Sequence, residues 1–187
     1  MRKYPGYKQD LWNDVRKIWN HLADLYDSDS LHADFITFSG DDAFWIMPNL
    51  QLYLETLSSE EQTKGRYLLS GVDADRRESD FPWIGGAGYV VSQNLIRERT
   101  LNKCKAKRIE AEDLLTSQCL YRYDVKFTDT RDDEGYSRFC RDIASNPCVL
   151  GAVGKDVSHT ASKGVVLYHY TTGINRITMH DKFYRHR

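Results

Sequence analysis

Residues 9–26 carry the clearest pattern of apolar and polar positions in the chain. Apolar side chains recur there at spacings of three and four residues, which is the period of an amphipathic α-helix. One stripe of this helix is aliphatic and three aromatic residues flank it: Leu11, Val15, Ile18, Leu22 and Leu25, with Trp12, Trp19 and Tyr26. We predict that the aliphatic stripe faces the core and that the polar run 27–30 ends the helix.

Shorter patterns predict the remaining elements. Brief apolar runs typical of buried strands occur at 34–38, 67–69, 125–127 and 165–168. Further helices are predicted from Met47 with Pro48 in the first turn, at 92–99 with Ser92 as N-cap, and at 109–122. Because strands alternate with helices, we predict an α/β fold with a mixed sheet, in a single domain spanning 1–187.

Composition and charge narrow the class of protein. The chain has 187 residues, 41% of them hydrophobic, which is enough for one domain with a core of its own. The net charge of -1 favours neither nucleic acid nor an acidic membrane surface as a partner. We interpret the basic run from Arg97 to Arg108 as a solvated helix end. No apolar stretch approaches about 20 residues and no apolar segment follows Pro5, so neither a spanning helix nor a signal peptide is expected.

The four cysteines form two local pairs, Cys104 with Cys119 and Cys140 with Cys148. Their spacing fits neither a zinc ribbon nor a C-x-x-C redox motif. Two small disulfide-closed loops and four buried thiols are equally compatible with this spacing. The pattern alone therefore leaves the redox compartment open.

Asp41 and Asp42 are the first candidates for chemistry, because they directly follow the predicted strand at 34–38. Two adjacent carboxylates at a strand end are favourable when a cation meets them, often a divalent ion that carries a phosphate ligand. A solvated Gly-Asp turn is the alternative interpretation. The glycine run 85–88 would let the backbone approach a ligand closely, but it lacks the spacing of a dinucleotide fold and the lysine of a P-loop. Nicotinamide and P-loop chemistry are therefore excluded.

Two further groups complete the candidate set. Glu112 and Asp113 begin the helix predicted at 109–122, where the helix dipole favours anions, and His169 ends the last predicted strand. Considered singly, these residues are better explained as ordinary N-terminal helix acids and a core histidine than as a site. Trp83, just before the glycine run, would either stack its aromatic face on the apolar side of a ligand or belong to the core.

Taken in order, these groups resemble the family 31, Fringe-like glycosyltransferases, and within them the core 1 β1,3-galactosyltransferase group. The segments FSGDDAFWIMPNLQLYL, WIGGAGYVVS, NKCKAKRIEAEDLLTSQC, DTRD and LYHYTTG carry the resemblance, from about residue 10 to the end. The resemblance implies a GT-A-like mixed sheet flanked by helices, and a metal-dependent inverting transferase site. The cofactor would be Mn²⁺ and the donor a UDP-sugar.

The resemblance also implies roles for individual residues. Asp42 would be the direct metal ligand, His169 the second protein ligand, and Asp41 a contact to the ribose or to the metal's outer shell. Carboxylate and imidazole ligands suit Mn²⁺. Asp113 would be the general base that takes the proton of the acceptor hydroxyl, with Glu112 as the alternative base.

Gly85 and Gly86 would shape the donor or acceptor pocket in the same family. The sugar transferred would be a hexose, namely galactose, to the 3-hydroxyl of an O-linked GalNAc on a glycoprotein or glycan. The resemblance implies a Golgi location, with a membrane anchor that this chain does not contain, and a Cys104–Cys119 disulfide.

Two departures from the family pattern matter. Gly40 stands where the family has the first of three acids. The family also has strand and helix units before the helix at 9–26, so we expect a chain truncated at its N-terminal side relative to the family. These departures motivate a second hypothesis, a non-catalytic binding or chaperone module on the same fold. An unrelated metal hydrolase using Asp41, Asp42 and His169 is the third.

Overall fold

The computed structural model describes residues 6–57, 67–70, 84, 88–105, 111–140, 164–168, 177, 180, 181 and 184. The helices in these ranges are α1 (Tyr7–Asp27), α2 (Met47–Glu55), α3 (Gln93–Arg97) and α4 (Glu112–Arg122), with a 3-10 turn at Thr100–Lys103. The strands are β1 (Phe35–Phe38), β2 (Phe44–Trp45), β3 (Tyr67–Ser70), β4 (Tyr89–Ser92), β5 (Lys126–Thr128), β6 (Phe139–Cys140) and β7 (Leu167–Tyr168). The predicted α/β fold class is therefore confirmed.

The larger sheet has four strands in the order β1-β4-β3-β5. β4 pairs antiparallel with both β1 and β3, whereas β3 and β5 are parallel, so the sheet is mixed as predicted. In the β1–β4 ladder, Phe38 at the end of β1 lies opposite Tyr89 at the start of β4. Residues 39–42, which we call the acidic turn, follow β1 at this end of the sheet, and Gly88, the last residue of the glycine run, directly precedes β4 there.

A smaller three-stranded sheet has the order β2-β7-β6. β7 pairs antiparallel with β2 and parallel with β6, with Phe44 opposite Tyr168. Neither β2 nor β6 was predicted, because two-residue strands are too short to show an alternating pattern. The predicted strand at 165–168 is present only as Leu167–Tyr168, although Val166 is buried and donates its N–H to the Arg138 carbonyl at 2.7 Å.

The two faces of the larger sheet bury two apolar clusters. Leu68 and Val91 face the layer formed by α1, α3 and α4, whereas their neighbours Leu69 and Val90 face α2 and the smaller sheet. The alternation along the strands produces this division, since successive side chains point to opposite faces. The described chain is thus arranged in three layers. None of the helices in the described ranges has the length and apolarity needed to cross a bilayer.

Helix α1 forms as predicted, but a different face of it packs against the sheet. The buried side chains are Trp12, Val15, Trp19, Ala23 and Tyr26. Leu11 and Ile18 of the predicted aliphatic stripe are 36% and 49% exposed, so the prediction that this stripe faces the core is wrong for them. The aromatic residues bury more surface per side chain, and the helix is rotated to cover them.

The other helices agree with prediction apart from their ends. Ser92 is the N-cap residue of α3, with extended backbone, but its side chain makes no capping hydrogen bond. Helix α4 begins at Glu112, three residues later than predicted, because Ala111 before it has extended backbone (φ -63°, ψ 145°).

Covalent and ionic links hold the helical layer together. Cys104 and Cys119 form the disulfide that the resemblance implied, joining the 3-10 turn to α4. Cys140 is buried on β6, and its pairing with Cys148, which lies outside the described residues, stays a prediction. Arg99 contacts Asp24 at 2.6 Å and Asp27 at 2.9 Å. Part of the basic run therefore binds the C-terminal end of α1, where cations are favoured.

Candidate functional site

The acidic turn follows directly from β1. Asp41 is exposed and Asp42 is half-buried. The turn is held by the indole N–H of Trp45, which donates to the Ser39 hydroxyl at 2.9 Å. A Cβ placed on Gly40 would lie 2.8 Å from Oδ1 of Asp42. The Asp42 carboxylate therefore lies over Gly40, in space that the Cβ of any other residue at position 40 would occupy.

The last glycine of the glycine run packs against the same turn. Gly88 has φ +118°, which side chains rarely adopt, and a Cβ there would lie 2.7 Å from the Phe38 carbonyl oxygen and 3.0 Å from Cβ of Ser39. Only glycine fits this position. The close approach brings Gly88, the last residue of the glycine run, to the base of the acidic turn. Gly85 and Gly86 themselves lie outside the described residues, as does Trp83.

The start of α4 is tied to the residue that precedes the glycines. The Ser117 hydroxyl donates to the Asp113 carbonyl at 2.7 Å and accepts the backbone N–H of Ile84 at 3.1 Å. Both Ile84 and Ser117 are buried, so the connection is shielded from water. Sequence reasoning missed Ser117. Its position four residues after Asp113, on the same face of a helix, is the signal that could have identified it.

Glu112 and Asp113 differ in their surroundings. Asp113 is 8% exposed, and its Oδ1 accepts the backbone N–H of Leu114 at 2.8 Å. Glu112 is half-buried, and this burial, with the neighbouring Asp113 charge, raises its pKa to about 7, although the Asp113 backbone N–H acts in the opposite direction. Glu112 therefore titrates near neutral pH, where a group that exchanges protons is most effective.

Tyr89 connects the acidic turn with these two acids. Its ring stacks on Phe38 with centroids 5.1 Å apart. Burial of its hydroxyl is the main cause that raises the pKa of Tyr89, and the negative charge of Glu112 raises it further. Trp19 and Thr116, which lie beside the hydroxyl, act in the opposite direction and lower that pKa. The Tyr89 hydroxyl, the Trp19 indole N–H and the Thr116 hydroxyl are all buried without a hydrogen bond of normal geometry. A polar group of this kind inside an apolar core is unusual and was not predicted.

His169 lies outside the described residues, but the strand before it is described. Tyr168 pairs with Phe44, which is two residues after Asp42. The polypeptide that leads to His169 therefore runs beside the one that leaves the acidic turn.

The described part of the chain accounts for only part of the expected metal site. Asp41 and Asp42 supply oxygen donors of the type that Mn²⁺ accepts, so the turn fits that cation chemically. No group of three or more His, Cys, Asp or Glu side chains suited to a metal ion occurs within the described ranges.

The structure thus packs Gly88 against the acidic turn and places the strand before His169 beside the segment that leaves this turn. Tyr89, the residue after Gly88, lies within electrostatic reach of Glu112 and Asp113 at the start of α4. Comparison of the sequence with models of known protein families gives no match. Any interpretation of this site therefore depends on the motifs and their geometry.

Proposed function

We propose that this chain is a catalytic domain, or part of one, with a GT-A fold. It transfers a hexose, by resemblance galactose, from a UDP-sugar to the 3-hydroxyl of an acceptor sugar such as O-linked GalNAc, with inversion. The observation that supports this proposal best is the pairing of Phe38 with Tyr89, which gathers the acidic turn, the end of the glycine run and the acids of α4. The Golgi location that goes with such an activity is part of the same proposal.

In this proposal the acidic turn holds the donor. Asp42 and His169 would bind Mn²⁺, and Asp41 would contact the ribose or the outer shell of the metal. The bound cation would offset the charge that grows on the UDP leaving group. Gly40 leaves room for the Asp42 carboxylate above the turn, and the Trp45–Ser39 hydrogen bond keeps the turn in shape.

The start of α4 would supply the base. Asp113 accepts the proton of the acceptor 3-hydroxyl as that oxygen attacks the anomeric carbon, and the bond to UDP breaks on the opposite side. The N–H of Leu114 fixes one carboxylate oxygen, and the positive end of the helix dipole favours the ionised form. Glu112 is the alternative base, since its pKa near 7 gives it both protonation states at neutral pH.

Turnover and binding measurements together test the proposal. Purified protein is incubated with UDP-galactose and a GalNAc-bearing peptide, with and without Mn²⁺, and UDP binding is followed by calorimetry. We expect metal-dependent UDP binding that Asp42→Asn lowers by about tenfold or more. We also expect turnover that Asp113→Asn lowers by at least about a hundredfold while binding of UDP is kept. Asp133→Asn, at an exposed acid to which the proposal gives no role, is the matched control and should change neither quantity.

The pH profile separates the two candidate bases. If Glu112 is the base, the rate rises with pH until about 7 and Glu112→Gln removes both the rise and the activity. If Asp113 is the base, Glu112→Gln keeps most of the activity. UDP binding that requires Mn²⁺ would favour the transferase, whereas no UDP binding with or without Mn²⁺ would favour the binding or chaperone module, which Gly40 in place of an acid also supports.

A further inference from the structure

Strand β1 is apolar on both faces but incompletely covered. All four residues of its neighbour β4 are buried. In β1, by contrast, Phe35, Ile36 and Phe38 are only half-buried and Thr37 is exposed. A strand of this composition is normally buried on both sides. Something that would complete its burial is therefore missing from the described surroundings.

The outer edge of β1 presents backbone groups for pairing. β1 is the terminal strand in the described sheet order. The N–H of Gln93 donates to the carbonyl of Asp34 at 2.8 Å, which makes residues 34, 36 and 38 the ones whose backbone groups face β4. The N–H and C=O groups of Phe35 and Thr37 therefore point away from β4, toward the open edge.

A groove of about 500 Å³ runs beside this edge, between β1 and α2. Its apolar lining includes Phe35 and Val90 from the sheet and Leu50 and Leu54 from α2. Phe35 and Leu54 are only half-buried in the free protein. Apolar side chains of an added strand would complete their burial, which is favourable by about 25 cal/mol per Å² of apolar surface removed from water.

Two carboxylates give the groove a negative charge. Asp34 and Glu55 are both exposed and both line it. Glu55 accepts a hydrogen bond from the Gln51 side chain at 3.0 Å, a neutral partner. Throughout the ranges that the structure describes, neither carboxylate forms an ion pair. The groove is therefore complementary to a segment that carries a positive charge.

We propose that this groove binds an extended segment of a partner polypeptide, which adds a strand to β1 and places a Lys or Arg against Asp34 or Glu55. Backbone hydrogen bonds to Phe35 and Thr37 supply affinity, and the apolar and basic side chains supply selectivity. A second copy of this chain fits less well, because a symmetric contact through β1 would bring the same acidic rim of both copies into one interface. The inference is independent of the proposed transferase reaction.

The test uses two fluorescein-labelled peptides of alternating Val and Thr, one with Lys and one with Glu at both ends. In fluorescence anisotropy, we expect the Lys peptide to bind at least about tenfold more tightly than the Glu peptide. The double variant Asp34→Lys/Glu55→Lys should reverse that preference, while Asp133→Lys on an unrelated exposed acid should preserve it. Equal affinity of the two peptides, or an unchanged preference in the double variant, would overturn the charge assignment.

Backbone pairing is tested separately. Thr37→Pro removes an N–H that points to the open edge but leaves the ladder with β4 intact, so both peptides should lose binding. In the unaltered protein, the amide of Thr37 should exchange more slowly when the Lys peptide is present, which makes the test independent of how well the proline variant folds. Binding without protection of Thr37 would overturn strand addition, and self-association abolished by Thr37→Pro would assign the edge to a second copy instead.

Discussion

At the scale of single residues, Glu112 has the environment most at odds with its sequence position. Acids in the first turn of a helix are ordinarily ionised and solvated. Here burial and the adjacent Asp113 raise the pKa of Glu112 to about 7, so the folded state favours the protonated form relative to the unfolded chain. The sequence predicted the position of this acid but not its depth, because depth depends on what α4 packs against.

This shift makes folding stability depend on pH. The stabilising contribution of protonated Glu112 is fully present below the ordinary pKa of 4.5 and is lost as the pH rises through about 7. The loss amounts to about 3–4 kcal/mol at most, since the pKa moves from 4.5 to about 7 and one pKa unit corresponds to about 1.4 kcal/mol. Urea unfolding between pH 4.5 and 8 measures it, and Glu112→Gln should flatten the profile over that range.

Asp133→Asn serves as the control for this pH profile, because it also removes a carboxylate but from an exposed position. It should leave the slope between pH 4.5 and 7 unchanged. A slope that survives in Glu112→Gln would assign the titration to another group and would remove Glu112 from the candidate bases.

Gly40 and Gly88 both border the acidic turn, yet substitution should affect them differently. Gly88→Ala places a Cβ 2.7 Å from a backbone oxygen at φ +118°, so we expect a loss of at least about 2 kcal/mol in the free energy of unfolding. Gly40→Ala meets only the flexible end of Asp42, so it should cost less than about 0.5 kcal/mol. Because it displaces the Asp42 carboxylate, it should nevertheless weaken Mn²⁺-dependent UDP binding.

Urea unfolding and calorimetry on the same two variants measure both effects. Each variant then serves as a control for the other, because Gly88→Ala should mainly lower stability and Gly40→Ala should mainly weaken UDP binding. UDP binding that is unchanged in Gly40→Ala would mean that the position of the Asp42 carboxylate above Gly40 is unimportant for the ligand.

At the scale of elements, helix α1 illustrates what periodicity can and cannot predict. Its existence followed from the spacing of apolar residues, which together cover nearly half of the helix circumference. The same breadth made the orientation ambiguous, because the aliphatic and the aromatic stripes were both able to face the sheet. The aromatic stripe is the buried one, with the ring of Trp19 5.8 Å from that of Phe38.

Neighbouring positions on α1 should therefore respond oppositely to substitution. Ile18 is 49% exposed, so Ile18→Glu should change the free energy of unfolding by less than about 0.5 kcal/mol. Trp19 is 1% exposed, and Trp19→Ala should cost about 3–5 kcal/mol through the cavity it leaves. Thermal and urea unfolding check both, and a large cost for Ile18→Glu would indicate that this face of α1 is covered in solution.

At the scale of the whole molecule, the strands at 35–38, 67–70 and 126–128 were predictable from their apolar composition. The sequence did not predict which strands would pair with one another in the sheet. The site depends on Phe38 lying opposite Tyr89, a contact between residues far apart in sequence. Only the resemblance suggested that these segments converge. The Ser117 link and the buried Tyr89 hydroxyl escaped prediction, because they arise from packing between segments and leave no periodic pattern.

A second long-range contact joins the C-terminal part of the chain to the acidic turn. The Tyr184 hydroxyl donates to the Trp45 carbonyl at 3.0 Å and accepts the Met47 N–H at 2.9 Å. These bonds hold β2 and the start of α2, which directly follow the turn. Tyr184→Phe removes both, and we expect a loss of about 1–2 kcal/mol in unfolding free energy.

Hydrogen exchange locates this effect. In Tyr184→Phe the amides of residues 44–47 should exchange faster, while those of β4, whose residues are all buried, should be unchanged because they belong to the other sheet. Tyr136→Phe, at another half-buried tyrosine, is the matched control and should affect neither set. Faster exchange in β4 as well would mean that the two sheets open as one cooperative unit. The acidic turn would then owe its order to the whole core rather than to this tyrosine.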